Sequence, residues 1–307
     1  MTQRKDGTSN SIGRRYFLKS IFGLGAVLND KLEADAKSGD DVCCLWADLH
    51  TGFVGFPTGL RVPEALGGSV MKLIAAAAVL EEGLLDPNHK VSCPGHITID
   101  GETINCQFAH GPVDLTMAIA VSCNYYFAHA AKLIPTSLYL QFAKKLGMDT
   151  PFCKYLSGKF PNESSDPSYT FVLGLNEAMQ PSGLQLLRMA ALIAKNGQTP
   201  YLHSADDLEP GQPFLATMQN ATWHRLQQGM EMAVKHGTAK KLDPENEMKI
   251  AAKTGTSKRG LKFQSCIIGF FPYDEPRHAF FVGAPNGTSQ ESAVPQAHKF
   301  LFSTTWP

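Results

Sequence analysis

The spacing of apolar positions changes character along this chain. Val42 to Leu49 is a continuous apolar run rich in β-forming residues, and a His50-Thr51-Gly52 turn leads into a second run, Phe53 to Phe56. That pattern predicts a hairpin. Met71 to Leu80 is apolar and alanine-rich and stops at Glu81-Glu82-Gly83, which predicts a buried helix with a glycine stop. Val113 to Leu133 reads as another apolar helical stretch, and residues 157–170, rich in Ser, Pro, Asn and Asp, as a surface loop. Pro181-Ser182 opens a helix with Leu184, Leu187, Ala191 and Ala194 on one face, ending at Asn196-Gly197. Thr217 to His236 predicts a further helix that stops at Gly237. Beyond it the period shortens. Lys249–Ser257, Lys262–Pro272 and His278–Pro285 are three β-type runs, two of them joined through Tyr273-Asp274-Glu275-Pro276, and Ala293–Phe302 predicts a last helix.

Strands at both ends with helices between them can share a sheet only if the middle folds back. The expected class is therefore α/β of the α+β kind: an antiparallel sheet formed from both chain ends, flanked by helices, with a helical subdomain. No internal repeat is present.

Composition narrows the function classes. The chain has 307 residues, 43% hydrophobic and 18% charged, with 28 Lys+Arg against 28 Asp+Glu. A net charge of zero offers no electrostatic case for a nucleic-acid partner. No apolar run reaches the roughly 18–20 residues that span a bilayer. Residues 1–36 read as a removable leader rather than fold material: Arg4, Lys5, Arg14, Arg15 and Lys19 precede the short apolar run Ser20–Leu28 and a small-residue site at Ala34-Asp35-Ala36. The stretch Arg14-Arg15-Tyr16-Phe17-Leu18-Lys19 resembles a twin-arginine export signal. The expected organisation is a signal peptide over 1–36 and one domain over 37–307, working in the periplasm or another extracytoplasmic space.

Export admits disulfides. Among seven Cys, Cys93 and Cys106 form the best candidate pair, since they flank a turn and a short alternating segment and would close a hairpin-like loop. Cys43 and Cys44 are adjacent in a strand and face opposite sides. No two Cys have CxxC spacing and no two His stand closer than His89 and His96, so no metal site is expected, and no cofactor.

Three short patterns carry chemistry. Ser69-Val70-Met71-Lys72 puts a hydroxyl and an amine on one helix face at a helix start, after Gly67-Gly68, and no other Ser here has Lys three positions on. A Ser hydroxyl needs a positioned base, a Lys of lowered pKa can be one, and a helix N-terminus favours developing negative charge. Ser122-Cys123-Asn124 interrupts apolar helical sequence; alone it reads more simply as a helix break. Lys253-Thr254-Gly255-Thr256 lies on the first late strand, where Gly255 leaves room for a second backbone or a ligand.

Together, in that order and on those elements, the three patterns resemble the penicillin-binding transpeptidase family, which shares its fold and motifs with serine β-lactamases. Leu84-Leu85-Asp86-Pro87, Cys93-Pro94-Gly95, Tyr125-Tyr126-Phe127, Gly237-Thr238-Ala239 and Gly269-Phe270-Phe271-Pro272 look like landmarks of its class B members, and the resemblance covers residues 42–302. It implies that Ser69 is acylated with Lys72 as its base. Ser122 would relay a proton to the leaving amine, with Lys72 and Lys253 setting the local field and Lys253 depressing the pKa of Lys72. Asn124 would bind the substrate amide. Lys253 and Thr256 would orient its carboxylate, with Thr254 and Gly255 beside them, and the N–H groups of Ser69 and Thr256 would form the oxyanion hole.

The implied function is a serine D,D-transpeptidase or carboxypeptidase acting on peptidoglycan stem peptides and acylated by β-lactams. A serine β-lactamase and a non-catalytic β-lactam sensor are the alternatives. Two departures from the family pattern stand out: the link to the active Ser shrinks to Pro57–Gly68, and Gly68 replaces the usual Pro.

Overall fold

The computed structural model describes residues 42–55, 67–152, 158–205, 211–259 and 262–307. The proposed leader over 1–36 and most of the Pro57–Gly68 link lie outside the described residues.

Both ends of the described chain contribute to one five-stranded sheet. β1 (Cys43–Asp48) and β2 (Val54–Gly55) form the expected hairpin. Helix α1 (Lys72–Glu81) follows a 3₁₀ turn over Gly68–Met71. Two small sheets come next. β3 (Val91–Cys93) pairs with β6 (Gly111–Val113), and between them β4 (His96–Ile99) pairs with β5 (Glu102–Asn105). The helical block contains α2 (Leu115–Ala120), α3 (Asn124–Ala131), α4 (Thr136–Lys145), α5 (Ser168–Val172) and α6 (Gly183–Ala194). The short pair β7 (Gln198–Thr199) and β8 (Phe214–Leu215) precedes α7 (Asn220–Lys235). The long strands β9 (Ala251–Arg259), β10 (Lys262–Phe271) and β11 (His278–Ala284) then lead through a π-turn over Ser289–Ala293 to α8 (Val294–Ser303).

The strand order is β2-β1-β11-β10-β9, antiparallel throughout, with Cys43 opposite Gly283 and Ser265 opposite Thr256. The late strands read as continuous apolar runs because both faces of the sheet are covered, and alternation sends successive side chains into two cores. On β11, Ala279 and Phe281 enter a larger core while Phe280, Val282 and Ala284 enter a smaller one. Cys43 and Cys44 divide the same way.

Helix α1 is buried on every side from Lys72 to Val79 and belongs to the larger core, where it touches α4 and α7. Its four consecutive alanines, Ala75–Ala78, offer small side chains all round. Helix α8 covers the other face through Val294, Ala297, Phe300 and Leu301. Ser182 starts α6 with a capping box: its hydroxyl accepts the Gln185 N–H, while the Gln185 carboxamide oxygen accepts the Ser182 N–H.

Two expectations change. The apolar stretch 113–133 is not one helix. It breaks after α2 because Ser122 adopts a left-handed φ of 56°, and Cys123 then caps α3 with its sulfur accepting the Tyr126 N–H. The predicted loop over 157–170 holds from 158 to 167, after which α5 begins at Ser168.

Candidate active site

The 3₁₀ turn that opens α1 lifts Ser69 to the rim of a cleft of about 500 Å³, while Lys72, the first residue of the α-helix proper, is fully buried beneath it. Lys72 Nζ lies 3.0 Å from Ser69 Oγ. It also donates to the Ser122 carbonyl oxygen (2.9 Å) and to Asn124 Oδ1 (2.5 Å), with Ser122 Oγ farther off at 3.4 Å. The amide of Asn124 is oriented from its other end, where Nδ2 donates to the Asn105 carbonyl oxygen at 2.7 Å. The left-handed backbone at Ser122 turns both its carbonyl and its hydroxyl toward the lysines. Such a conformation persists where the surroundings hold it.

Lys253 approaches from β9. Its Nζ, also fully buried, donates to Ser122 Oγ at 3.0 Å and to the Thr254 carbonyl oxygen at 2.8 Å. Thr254 and Thr256 line the cleft, Thr254 Oγ1 sitting 2.7 Å from Thr238 Oγ1. Thr256 Oγ1 accepts the Ser289 N–H at 2.9 Å. The two backbones meant to carry the oxyanion hole abut: a Cβ on Gly68 would stand 2.6 Å from the Thr256 carbonyl oxygen and 2.9 Å from its nitrogen. Gly68, with φ +51°, thus occupies a place that Pro, which fixes φ near −65°, does not fit.

Burial sets the electrostatics. It lowers the pKa of Lys72 to about 8, against a smaller upward pull from Cys123 and Cys106. Lys253 is pushed well below the ordinary lysine range by burial first and then by the charge on Lys72. Desolvation is thus the first cause of the depression at Lys72, with the repulsion between the two buried amines expressed at Lys253.

All eight sequence-derived site residues, Ser69, Lys72, Ser122, Asn124, Lys253, Thr254, Gly255 and Thr256, come together here. Thr238, Ser289 and Gln290 also line the cleft. Thr238 stands in one of the family-like landmarks, whereas Ser289 and Gln290 carry no motif.

The thiols correct two expectations. Cys93 and Cys106 are free, with their sulfurs 3.7 Å apart, well beyond the roughly 2.05 Å of a disulfide. They are not a private pair, because His110 and Cys123 reach the same point and the four ligand atoms lie within 4.8 Å of one another. The expectation that no metal-ligating set exists therefore fails on geometry, since spacing along the chain did not reveal what the folded loops assemble. Hydrogen bonding with Cys123 holds the Cys106 thiol well below its ordinary range, and the same contact raises Cys123.

Fold and site together define a member of the penicillin-binding protein transpeptidase domain family: that family's model matches residues 64–301, and the chain belongs to it. Among curated relatives, the penicillin-binding protein PbpB of Mycolicibacterium smegmatis is 24% identical over 274 residues, covering 76% of this chain and 42% of that protein. The peptidoglycan D,D-transpeptidase MrdA of Acinetobacter baumannii is 24% identical over 275 residues, covering 74% of this chain and 40% of its own length. The chain thus spans about two-fifths of the curated relatives it matches. Among solved structures, the transpeptidase domain of Burkholderia pseudomallei penicillin-binding protein 3 superposes with a TM-score of 0.76 at 17% identity, covering 93% of both chains. Pseudomonas aeruginosa PBP2 gives a TM-score of 0.76 at 21% identity, covering 91% of this chain and 74% of that one. These likenesses establish the fold.

Proposed function

We infer that this chain is a serine acyltransferase of the D,D-peptidase type, taking the D-Ala-D-Ala end of peptidoglycan stem peptides onto Ser69. The observation that carries the reading is the environment of Lys72 Nζ. A neutral amine has two hydrogens, and the Ser122 carbonyl and Asn124 Oδ1 accept both. Its lone pair is then left for the Ser69 hydroxyl, 3.0 Å away.

In acylation, the Ser69 Oγ–carbon bond forms as the hydroxyl proton passes to Lys72 Nζ. The carbonyl electron pair moves onto oxygen, facing the N–H groups of Ser69 and Thr256. Collapse expels the terminal D-alanine, whose nitrogen takes a proton through Ser122 Oγ, the one hydroxyl that both lysines approach. The hydroxyls of Thr254, Thr256 and Thr238 receive the substrate carboxylate, because Lys253 Nζ lies buried behind them. An acceptor amine then takes the acyl group to form a cross-link, or water takes it in a carboxypeptidase reaction. β-Lactams acylate the same Ser69.

In this reading residues 37–307 work outside the cytoplasm and residues 1–36 are the export signal; among the described residues no helix is long and apolar enough to cross a membrane. Retention of an Arg14→Lys, Arg15→Lys double variant in the cytoplasm is the expected result, and normal export would overturn the signal assignment.

Labelled penicillin followed by peptide mass spectrometry tests the nucleophile. The adduct is expected on Ser69 and is absent in Ser69→Ala. An adduct on Ser122 or on a cysteine would overturn the assignment.

A further inference from the structure

Beside the catalytic cluster, and unused by it, stand three sulfurs and an imidazole drawn from four separate segments. Cys93 ends β3, Cys106 follows β5, His110 precedes β6, and Cys123 caps α3. We propose that these four residues hold a zinc ion that clamps the Ser122–Asn124 loop in place, and that oxidation of Cys93 and Cys106 expels it.

The distances fit. Tetrahedral zinc with Zn–S of about 2.3 Å and Zn–N of about 2.05 Å separates two sulfurs by roughly 3.8 Å, and a sulfur from a nitrogen by roughly 3.6 Å. Here Cys93 Sγ is 3.7 Å from Cys106 Sγ and 3.6 Å from His110 Nδ1. All four ligand atoms fall within 4.8 Å of one another.

The sulfurs are also arranged to carry negative charge. Backbone N–H groups face two of them: Gly95 donates to Cys93 and Tyr126 to Cys123. Metal-bound thiolates accept such bonds, which orient them and tune the ion. Cys93 and Cys123 are buried, and His110 Nε2 is buried without a partner among the described residues. Three thiolates and one imidazole select a soft, tetrahedral cation, and a closed set of four protein ligands is that of a structural site.

Cys123 lies between Ser122, which both lysines contact, and Asn124, which both Lys72 and Asn105 contact. A metal bond to Cys123 therefore ties the catalytic loop to the β4–β5 hairpin. Zinc keeps Cys93 and Cys106 apart, and a disulfide would require them to close. With a hydroperoxide as oxidant, one thiolate attacks the peroxide oxygen to give a sulfenic acid and releases hydroxide (or alkoxide). The second thiolate then displaces hydroxide to form the disulfide. Two electrons pass from the two sulfurs to the O–O bond, and zinc leaves with two of its four ligands gone.

The test uses the full chain purified without chelator and with its thiols reduced. Elemental analysis is expected to find one zinc per chain, and cobalt(II) replacement the intense visible and thiolate charge-transfer bands of a tetrahedral cysteine site. Cys106→Ser and His110→Ala should each bind metal at least about tenfold more weakly. If those variants fail to fold, metal content and the cobalt spectrum of the unaltered chain still decide. Hydrogen peroxide should release zinc in step with a mapped Cys93–Cys106 disulfide. Absence of both zinc and cobalt uptake in the reduced chain would overturn the site, and zinc retained through oxidation of the pair would overturn the expulsion. Resting on the Ser69 reading, zinc removal should slow penicillin acylation about tenfold, reversibly on zinc return, and an unchanged rate would remove the clamp role. Metal content and spectrum do not depend on acylation, so failure of the site and failure of the Ser69 reading are separable.

Discussion

Gly255 on β9 runs so close to Gly67 that a Cβ added to it would stand 2.3 Å from the Gly67 carbonyl oxygen. The strand and the turn that carries Ser69 are thus held backbone to backbone. Gly255→Ala must push them apart by about an ångström, and a misplacement of that size costs on the order of 100-fold in rate. The expected result is penicillin acylation slowed by about that factor, read by stopped-flow or gel-based labelling, with circular dichroism unchanged.

Acylation should depend on the charge of Lys72. Burial lowers its pKa to about 8, and only the neutral amine can take the Ser69 proton. Below that pH the rate should fall about tenfold per unit as protonation removes the lone pair; above it the rate should level off. The second-order rate of penicillin acylation measured from pH 6 to 10 gives this limb, and Lys72→Ala should abolish it. An unchanged rate in that variant would take Lys72 out of the reaction.

The penicilloyl-enzyme should be long-lived. Deacylation by water needs its own base, and Glu291 is the one carboxylate among the residues described as lining the cleft. It is committed elsewhere, accepting hydrogen bonds from the Thr288 N–H (2.9 Å) and hydroxyl (2.8 Å). These bonds hold its pKa below the usual carboxylate value. Mass spectrometry over time should show the adduct persisting while D-Ala is released from a D-Ala-D-Ala peptide. Rapid multiple-turnover penicillin hydrolysis without D-Ala release would move the chain to the β-lactamases, and stable acylation with neither activity to the sensors.

Ser182→Ala removes one side of the α6 capping box. It should cost about 1 kcal/mol of stability, lowering Tm by about 2 °C on scanning calorimetry, with acylation unchanged.

The sheet and its flanking helices were legible because their signals are local. Apolar runs marked β9, β10 and β11, and Ser182 and Gly197 punctuated α6. The candidate site was legible as a cluster because its residues fall in three short blocks, each carried by one element. What the sequence hid depends on the fold closing. Helix α4 was overlooked beyond the apolar stretch, and although Ser122-Cys123-Asn124 offered a helix break, nothing in it signalled the left-handed backbone at Ser122. The thiol–imidazole cluster was hidden most completely. Its members stand 13, 4 and 13 positions apart on separate segments, and they meet only because Cys106 N–H binds the Gly95 carbonyl oxygen at 2.8 Å and Cys123 turns in to cap a helix. Spacing rules for ligands carried on one turn do not reach such a set.

The pairing of Cys43 with Gly283 joins positions 240 residues apart. A ribosome adding about 5–20 residues per second makes the first strand roughly 10–50 seconds before its partner exists. Until then one edge of β1 is an unpaired, apolar template open to other chains. The waiting strand therefore needs a chaperone or its own helical block to shield it. The candidate cleft, lined by Thr254 and Thr256 of β9 and by Ser289 beyond β11, can first appear only after those segments have been made.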